Sequence, residues 1–322
     1  MRLLATVRKA APAAGALATM SLVLAACGGG DASPTTASPG PVLIVTTTAI
    51  LADLARNVGG DAVEVRSLVG LGSDVHSFQS TPGDSIAIRE ARVILTNGGG
   101  LDAALDPIID GAKASDTTVV EAAEALKADP IGLMPAATGD GAATFPQMNA
   151  DPHLWLNPQF AIGYVALIRD AMIDADPART ETFRRNADAF IQELTRLDSE
   201  IEATLATIPR QRRRLVTFHD AFGHFARRYG FGVSALTGVQ AGDVTPGAVR
   251  AIVDQVRAEC IPAIFAERQF NQDVLRQVAR DAGVRVGVIS SDVLTEETPT
   301  YVEMMRANAV TLAELLGDEP GR

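Results

Sequence analysis

Histidine is scarce in this chain, four in 322 residues, and cysteine scarcer still, with only Cys27 and Cys260. Two cysteines exclude a disulfide framework, so the fold must hold itself together by packing. Cys260, just ahead of Ile261-Pro262-Ala263-Ile264-Phe265, reads as a buried structural thiol. Lysine is nearly absent as well (Lys9, Lys113, Lys127), a compositional bias with no mechanistic content. Positive charge is short overall: 28 Lys and Arg stand against 39 Asp and Glu, a formal net charge of −11. A chain this acidic is not a nucleic-acid binder. After residue 26 no apolar run is long enough to span a membrane.

Three of the four histidines stand beside an aspartate in well-separated segments: Asp74-Val75-His76, Asp151-Pro152-His153 and His219-Asp220. With Asp292, in Ser290-Ser291-Asp292-Val293-Leu294, they make a candidate metal-ligand set that only a folded chain could assemble. Three imidazoles and one carboxylate suit zinc and leave no open position for a catalytic water.

The first residues place the protein outside the cytoplasm. Arg2, Arg8 and Lys9 precede an apolar stretch from Ala10 to Ala26 that ends in Leu24-Ala25-Ala26-Cys27 and runs into Gly28-Gly29-Gly30. This reads as a secretory signal with a lipobox, too short and too alanine-rich for a membrane span. It resembles the leader of bacterial lipoproteins, which implies lipidation of Cys27 and anchorage on the outer face of the cell membrane or in a periplasm. Gly28 to Gly40, rich in Gly, Ser, Thr and Pro, is then a flexible tether. Loss of the leader removes three basic residues and no acids, leaving 25 against 39 and a net charge of −14.

Beyond the tether, short β-branched runs alternate with amphipathic stretches. Val42 to Thr47, Val63 to Val69 and Val93 to Thr96 read as buried strands; Ile50 to Val58 and the stretch opened by Thr81-Pro82-Gly83-Asp84 read as helices. The same grammar returns with Leu215 to Phe218, a helix over Ala221 to Tyr229, a second helix start at Thr245-Pro246-Gly247, and strands at Ala263 to Phe265 and Val284 to Ile289. Aligned from Val45-Thr46 and Val216-Thr217, the halves share Ala55 with Ala226, Arg56 with Arg227 and Gly59 with Gly230. The fold class is therefore α/β: two similar lobes, each a parallel sheet flanked by helices. Between them, two helices break at Asp176-Pro177, and the longer carries Phe183, Phe190, Leu194, Leu197, Ile201 and Leu205 on one stripe, a rigid strut that limits lobe motion. The expected organisation is a signal peptide over 1–26, a tether over 27–40, lobes over 41–158 and 209–322, and linker helices over 159–208. His76, His219 and Asp292 each follow a strand, where open α/β sheets place their ligands.

At these residues the chain resembles the zinc- and manganese-specific substrate-binding lipoproteins of ATP-binding-cassette importers, which include proteins first described as adhesins. The resemblance is carried by Ser73 to Phe78 with Thr81-Pro82-Gly83-Asp84, by Thr96-Asn97-Gly98, by Asp151-Pro152-His153-Leu154-Trp155-Leu156-Asn157-Pro158, by Phe218 to Gly223, by Ser291-Asp292, and by Tyr301 to Met305. It implies metal held between the lobes by His76, His153, His219 and Asp292, no enzymatic activity, a monomer, and delivery to an integral permease driven by a cytoplasmic ATPase. His219 stands where manganese-preferring relatives often have an acid, which favours Zn2+ over Mn2+. The stretch from Lys127 to Ala150 lacks the histidines of many zinc-specific relatives and points the other way. Val75 and Gln79 also replace residues common in the first motif. His224, five residues after His219 on the expected helix, is turned away from it and faces solvent or packing. Glu267 ends a strand and reads as a carboxylate that supports a ligand without touching metal. A secreted zinc hydrolase with Glu267 as base, an adhesin stabilised by metal, and a siderophore binder remain as alternatives.

Overall fold

The computed structural model describes residues 40–128 and 151–317. The expectations for the signal, Cys27, the tether before Gly40 and most of the histidine-free stretch ending at Ala150 lie outside those residues. The described residues form one compact unit.

The first half runs β1 (Val42–Thr46), α1 (Ala49–Gly59), β2 (Val63–Ser67), α2 (Pro82–Glu90), β3 (Val93–Thr96), α3 (Asp106–Ala112), β4 (Thr118–Glu121) and α4 (Ala122–Ala128). Its sheet is parallel in the order β2-β1-β3-β4, with Ile44 opposite both Val65 and Val93. Val93 to Thr96 are buried throughout, as a strand covered on both faces must be. The Thr-Pro-Gly-Asp start of α2 is a literal cap: Asp84 Oδ2 accepts from the Thr81 backbone N–H at 2.7 Å and from its hydroxyl at 2.8 Å, and Pro82 costs no hydrogen bond in the first turn.

Two helices, α5 (Pro158–Ala175) and α6 (Thr180–Ala206), lead to the second half. There follow β5 (Arg214–His219), α7 (Gly223–Tyr229), β6 (Gly232–Thr237), α8 (Pro246–Ala258), β7 (Ala263–Glu267), α9 (Asp273–Ala282), β8 (Arg285–Ile289) and α10 (Tyr301–Leu316). β5 pairs with β6 and β7 with β8, both parallel, and β5 lies beside β7. The strands form two two-stranded sheets, and with β5 beside β7 they lie in the sequence β6-β5-β7-β8, which parallels the order β2-β1-β3-β4 of the first half and matches the weak internal similarity in the sequence. Its landmarks match in place rather than in detail. Gly230 adopts the left-handed conformation (φ +73°) that caps α7, whereas Gly59 is the last residue of α1 at φ −78° and the positive φ falls on Gly60. Thr48, the counterpart of His219, caps α1 by accepting from the Leu51 N–H.

Every residue of the expected α6 stripe, from Phe183 to Leu205, is buried. The helix packs on α1 and α5 on one side and on α10 on the other. One continuous apolar core consequently runs from Ile44 and Ile94 through Leu194 and Leu197 to Leu215, Phe265 and Leu312. Val216, Ile264 and Val278 form a smaller cluster on the far side of the second half. Since burying each such side chain stabilises by about 1.5–3 kcal/mol, separating the lobes along α6 would expose far more apolar surface than a flexible hinge tolerates.

Two local expectations are corrected. Cys260 is exposed, because it sits just beyond α8 with φ +51°, where the chain turns sharply and throws the thiol outward. His219 is the last residue of β5 and α7 begins only at Gly223, so His219 and His224 do not share a helix.

Candidate metal centre

Strand ends and two short turns bring the four candidate donor residues to one point. His76 lies in a single 3₁₀ turn (Val75–Ser77) whose start is fixed by Asp74 Oδ1 accepting from the His76 N–H at 3.0 Å. The loop before it is tied to the second half by Gly72 N–H donating to the Leu294 carbonyl at 2.7 Å. His153 precedes a second 3₁₀ turn (Leu154–Leu156), with Trp155 edge-on at 5.3 Å. His219 closes β5, and Asp292 follows β8 by three residues. The end of β8 is held by Asn308 of α10, which accepts from the Ser290 N–H and donates to its carbonyl. Trp155 Nε1–H donates to the Ser291 carbonyl at 2.8 Å, linking the two sides.

One ligand atom from each of His76, His153, His219 and Asp292 lies within 4.8 Å of all the others. His153 Nε2 and His219 Nε2 are 3.4 Å apart. Asp292 Oδ1 is 3.4 Å from His153 Nε2, while Oδ2 is 3.2 Å from His219 Nε2 and 3.9 Å from His76 Nε2. A tetrahedron with bonds of about 2.05 Å has edges of about 3.4 Å, so His153, His219 and Asp292 stand close to zinc spacing, with His76 farther out at 3.9 Å from Asp292. His153 and His219 are fully buried, Asp292 nearly so, and only His76 is partly exposed. His76 Nε2 and Asp292 Oδ1 are buried without a hydrogen-bond partner among the described residues. Such atoms are costly to leave unpaired, and a cation would satisfy both.

The electrostatics fit the same occupant. Burial opposes ionisation of Asp292, yet the imidazoles of His153 and His219 hold its carboxyl well below the usual carboxylate range. Burial also works against a charged His219, but Asp292 and Glu267 outweigh it and push its pKa up to about 10. For His76 burial prevails over Asp292, and the pKa is lowered. Without a metal, a proton on His219 balances two buried carboxylates; a divalent ion would take over that task.

A second layer fixes the donors. Glu267, at the end of β7, lies with Oε2 2.6 Å from His219 Nδ1, while Oε1 accepts from the Phe218 and His219 N–H groups at 3.1 and 2.9 Å. Its Oε2 also accepts from the Ser291 hydroxyl at 2.6 Å. Asp151 Oδ1 stands in the same relation to His153 Nδ1, at 2.8 Å. Thus two of the aspartates next to histidines have local roles, Asp74 toward a backbone N–H and Asp151 toward an imidazole, while the carboxylate at His219 Nδ1 comes from β7 and not from neighbouring Asp220. Gln269, unmarked in the sequence, donates to Asp292 Oδ2 at 3.0 Å and to the Ser291 hydroxyl at 2.6 Å. Phe270 packs edge-on against His219 at 5.0 Å. The only signal for either was position, just past the same strand end that supplies Glu267.

Two α/β lobes, joined through a helix whose apolar stripe is buried and converging on a cluster of three imidazoles and a carboxylate, define a metal-binding receptor. The family model described as zinc-uptake complex component A, periplasmic, matches residues 44–315, and the chain belongs to that family. It is 32% identical over 280 residues to the iron-binding protein YfeA of Yersinia pestis, covering 85% of this chain and 86% of that one. It is 31% identical over 299 residues to the manganese-binding lipoprotein MntA of Halalkalibacterium halodurans, covering 91% and 94%. Among solved structures, the periplasmic zinc-binding protein TroA from Treponema pallidum superposes with a TM-score of 0.77 at 27% identity, over 87% of this chain and 100% of that one.

Proposed function

We infer that this protein is the extracytoplasmic receptor of a metal importer, lipid-anchored through Cys27, which captures a divalent transition metal with His76, His153, His219 and Asp292. It passes the ion to an integral ATP-binding-cassette permease. The observation that carries this reading is the convergence of four candidate donor atoms within 4.8 Å of one another, two of them buried without a hydrogen-bond partner among the described residues. The jaws are the lobes over 41–158 and 209–322, with α5 and α6 between them. Zinc is the favoured cargo, because three imidazoles with one carboxylate suit it better than harder ions. Relatives named for iron and manganese make the choice of metal the finer question.

The receptor carries out no reaction. Glu267 is the carboxylate the sequence offers as a general base, and both its oxygens are engaged, by two backbone N–H groups and the Ser291 hydroxyl, with His219 Nδ1 2.6 Å away. One feature favours manganese as a second reading: Asp292 turns both oxygens toward the imidazoles, and a bidentate carboxylate would supply a fifth, hard donor. Metal analysis of protein purified without added metal, followed by zinc and manganese titration calorimetry, tests both readings. One ion per chain and tighter binding of zinc are expected; tighter manganese binding would support the second reading, and failure to bind either would refute both.

A further inference from the structure

His224 is the one histidine outside the donor cluster, and it is buried as deeply as His153 and His219, at 1% exposure. Its Nε2–H donates to the Asp151 carbonyl at 3.1 Å and lies 3.6 Å from Asp151 Oδ2. The other carboxylate oxygen, Oδ1, accepts from His153 at both Nδ1 (2.8 Å) and the backbone N–H (3.0 Å). Phe160 of α5 meets the His224 ring edge-on at 5.4 Å. Next to it, Gly223 leaves room for the contact: a Cβ there would stand 2.6 Å from Asp151 Oδ2. The start of α7, in the second lobe, therefore grips the residue that orients a donor presented ahead of α5.

We propose that His224, with Gly223, is a positioning residue for metal capture: it clamps Asp151 so that the His153 proton stays on Nδ1 and the Nε2 lone pair faces the cation. A neutral imidazole has one lone pair, and which nitrogen offers it is set by the acceptor facing the other nitrogen. Asp151 is partly exposed and precedes a turn, so its carboxylate would rotate among several poses unless its own backbone were held. His224 holds that backbone through the carbonyl. Burial lowers the His224 pKa, which keeps it a neutral donor that leaves Asp151 free to serve His153. The inference rests on His153 being a metal donor.

The test compares the full chain with His224→Phe, His224→Gln, Gly223→Ala and His153→Ala. Zinc affinity is measured by competition with a chromophoric chelator, and the His153 tautomer in metal-free protein by long-range proton–nitrogen NMR. His224→Phe keeps the ring contact with Phe160 and loses the donor; it is expected to bind zinc about tenfold more weakly, at unchanged stoichiometry, with the His153 Nδ1–H signal partly lost. His224→Gln, which restores a donor, should recover most of the affinity, and Gly223→Ala should weaken binding with the imidazole still present. Affinities of His224→Phe and Gly223→Ala within about twofold of the parent, with the tautomer intact, overturn the proposal. The His153→Ala arm separates this from failure of the ligand reading: undiminished zinc binding there would remove His153 from the shell altogether. Should His224→Phe not fold, Gly223→Ala decides by the same two readouts.

Discussion

Replacing Glu267 by glutamine should weaken metal binding without abolishing it. In the native protein the Glu267 carboxylate faces three N–H groups and one hydroxyl: the backbone N–H groups of Phe218 and His219, the Ser291 hydroxyl and His219 Nδ1. A glutamine can keep its oxygen on the two backbone donors only by turning its NH2 toward His219 Nδ1. That NH2 then favours the tautomer with the proton on Nε2, the nitrogen that faces Asp292 and His153. To bind metal, His219 must set two donors against each other or the amide must flip against the backbone. Losing a hydrogen bond to a charged group costs about 1.5–3 kcal/mol, which corresponds to roughly 10–100-fold in affinity. Changes in residues that orient metal ligands fall in the same range. Competition titration with zinc reads the constant, and fluorescence of Trp155, the sole tryptophan, which lies against His153, reports occupancy. One ion bound with unchanged affinity would show that Glu267 does not set the His219 tautomer and would refute the reasoning.

Further outcomes follow from the same geometry. The His219 pKa of the metal-free protein is raised from 6.5 to about 10, so the stabilisation from its proton is fully present below about pH 6.5 and is lost as pH rises through about 10. The melting temperature of metal-free protein should therefore fall between about pH 6.5 and pH 10, where the folded state holds a proton that the unfolded state has lost, and that of zinc-loaded protein should not; parallel pH profiles would contradict this. Because that proton must leave when metal binds, calorimetry at pH 7.5 in buffers of different ionisation enthalpy should give about one proton released per ion, and none released would count against it. Leu197→Ala, at a fully buried position of α6, should cost about 2–5 kcal/mol in denaturant unfolding, since α6 carries the core shared by both lobes. For the same reason, small-angle scattering with and without zinc should differ by less than about 1 Å in radius of gyration; a larger closure would mean that the lobes hinge despite their common core.

Much of this was legible in the sequence because the informative residues sit at strand ends. His219 directly follows Leu215 to Phe218, and Asp292 lies just past Val284 to Ile289, so β-branched runs alone placed them at the mouth of an α/β sheet. The repeat was legible from helix caps, since Thr-Pro-Gly starts leave the same local signature wherever they occur. What escaped was set by contacts across the fold. No local pattern tells that Gln269 reaches Asp292, that Asn308 pins the end of β8, or that His224 meets Asp151 from 73 residues away. Cys260 departs from expectation for a local reason: its apolar successors belong to β7, but the residue itself occupies a left-handed turn that points its thiol outward.

X-ray absorption at the zinc edge of the loaded protein tests the four-donor shell most directly. Four nitrogen or oxygen neighbours are expected at about 2.0–2.1 Å with the multiple-scattering pattern of three imidazoles, falling to two in each of His76→Ala, His153→Ala and His219→Ala. A six-coordinate shell of oxygens, or an imidazole count unchanged in any of the three variants, would contradict it.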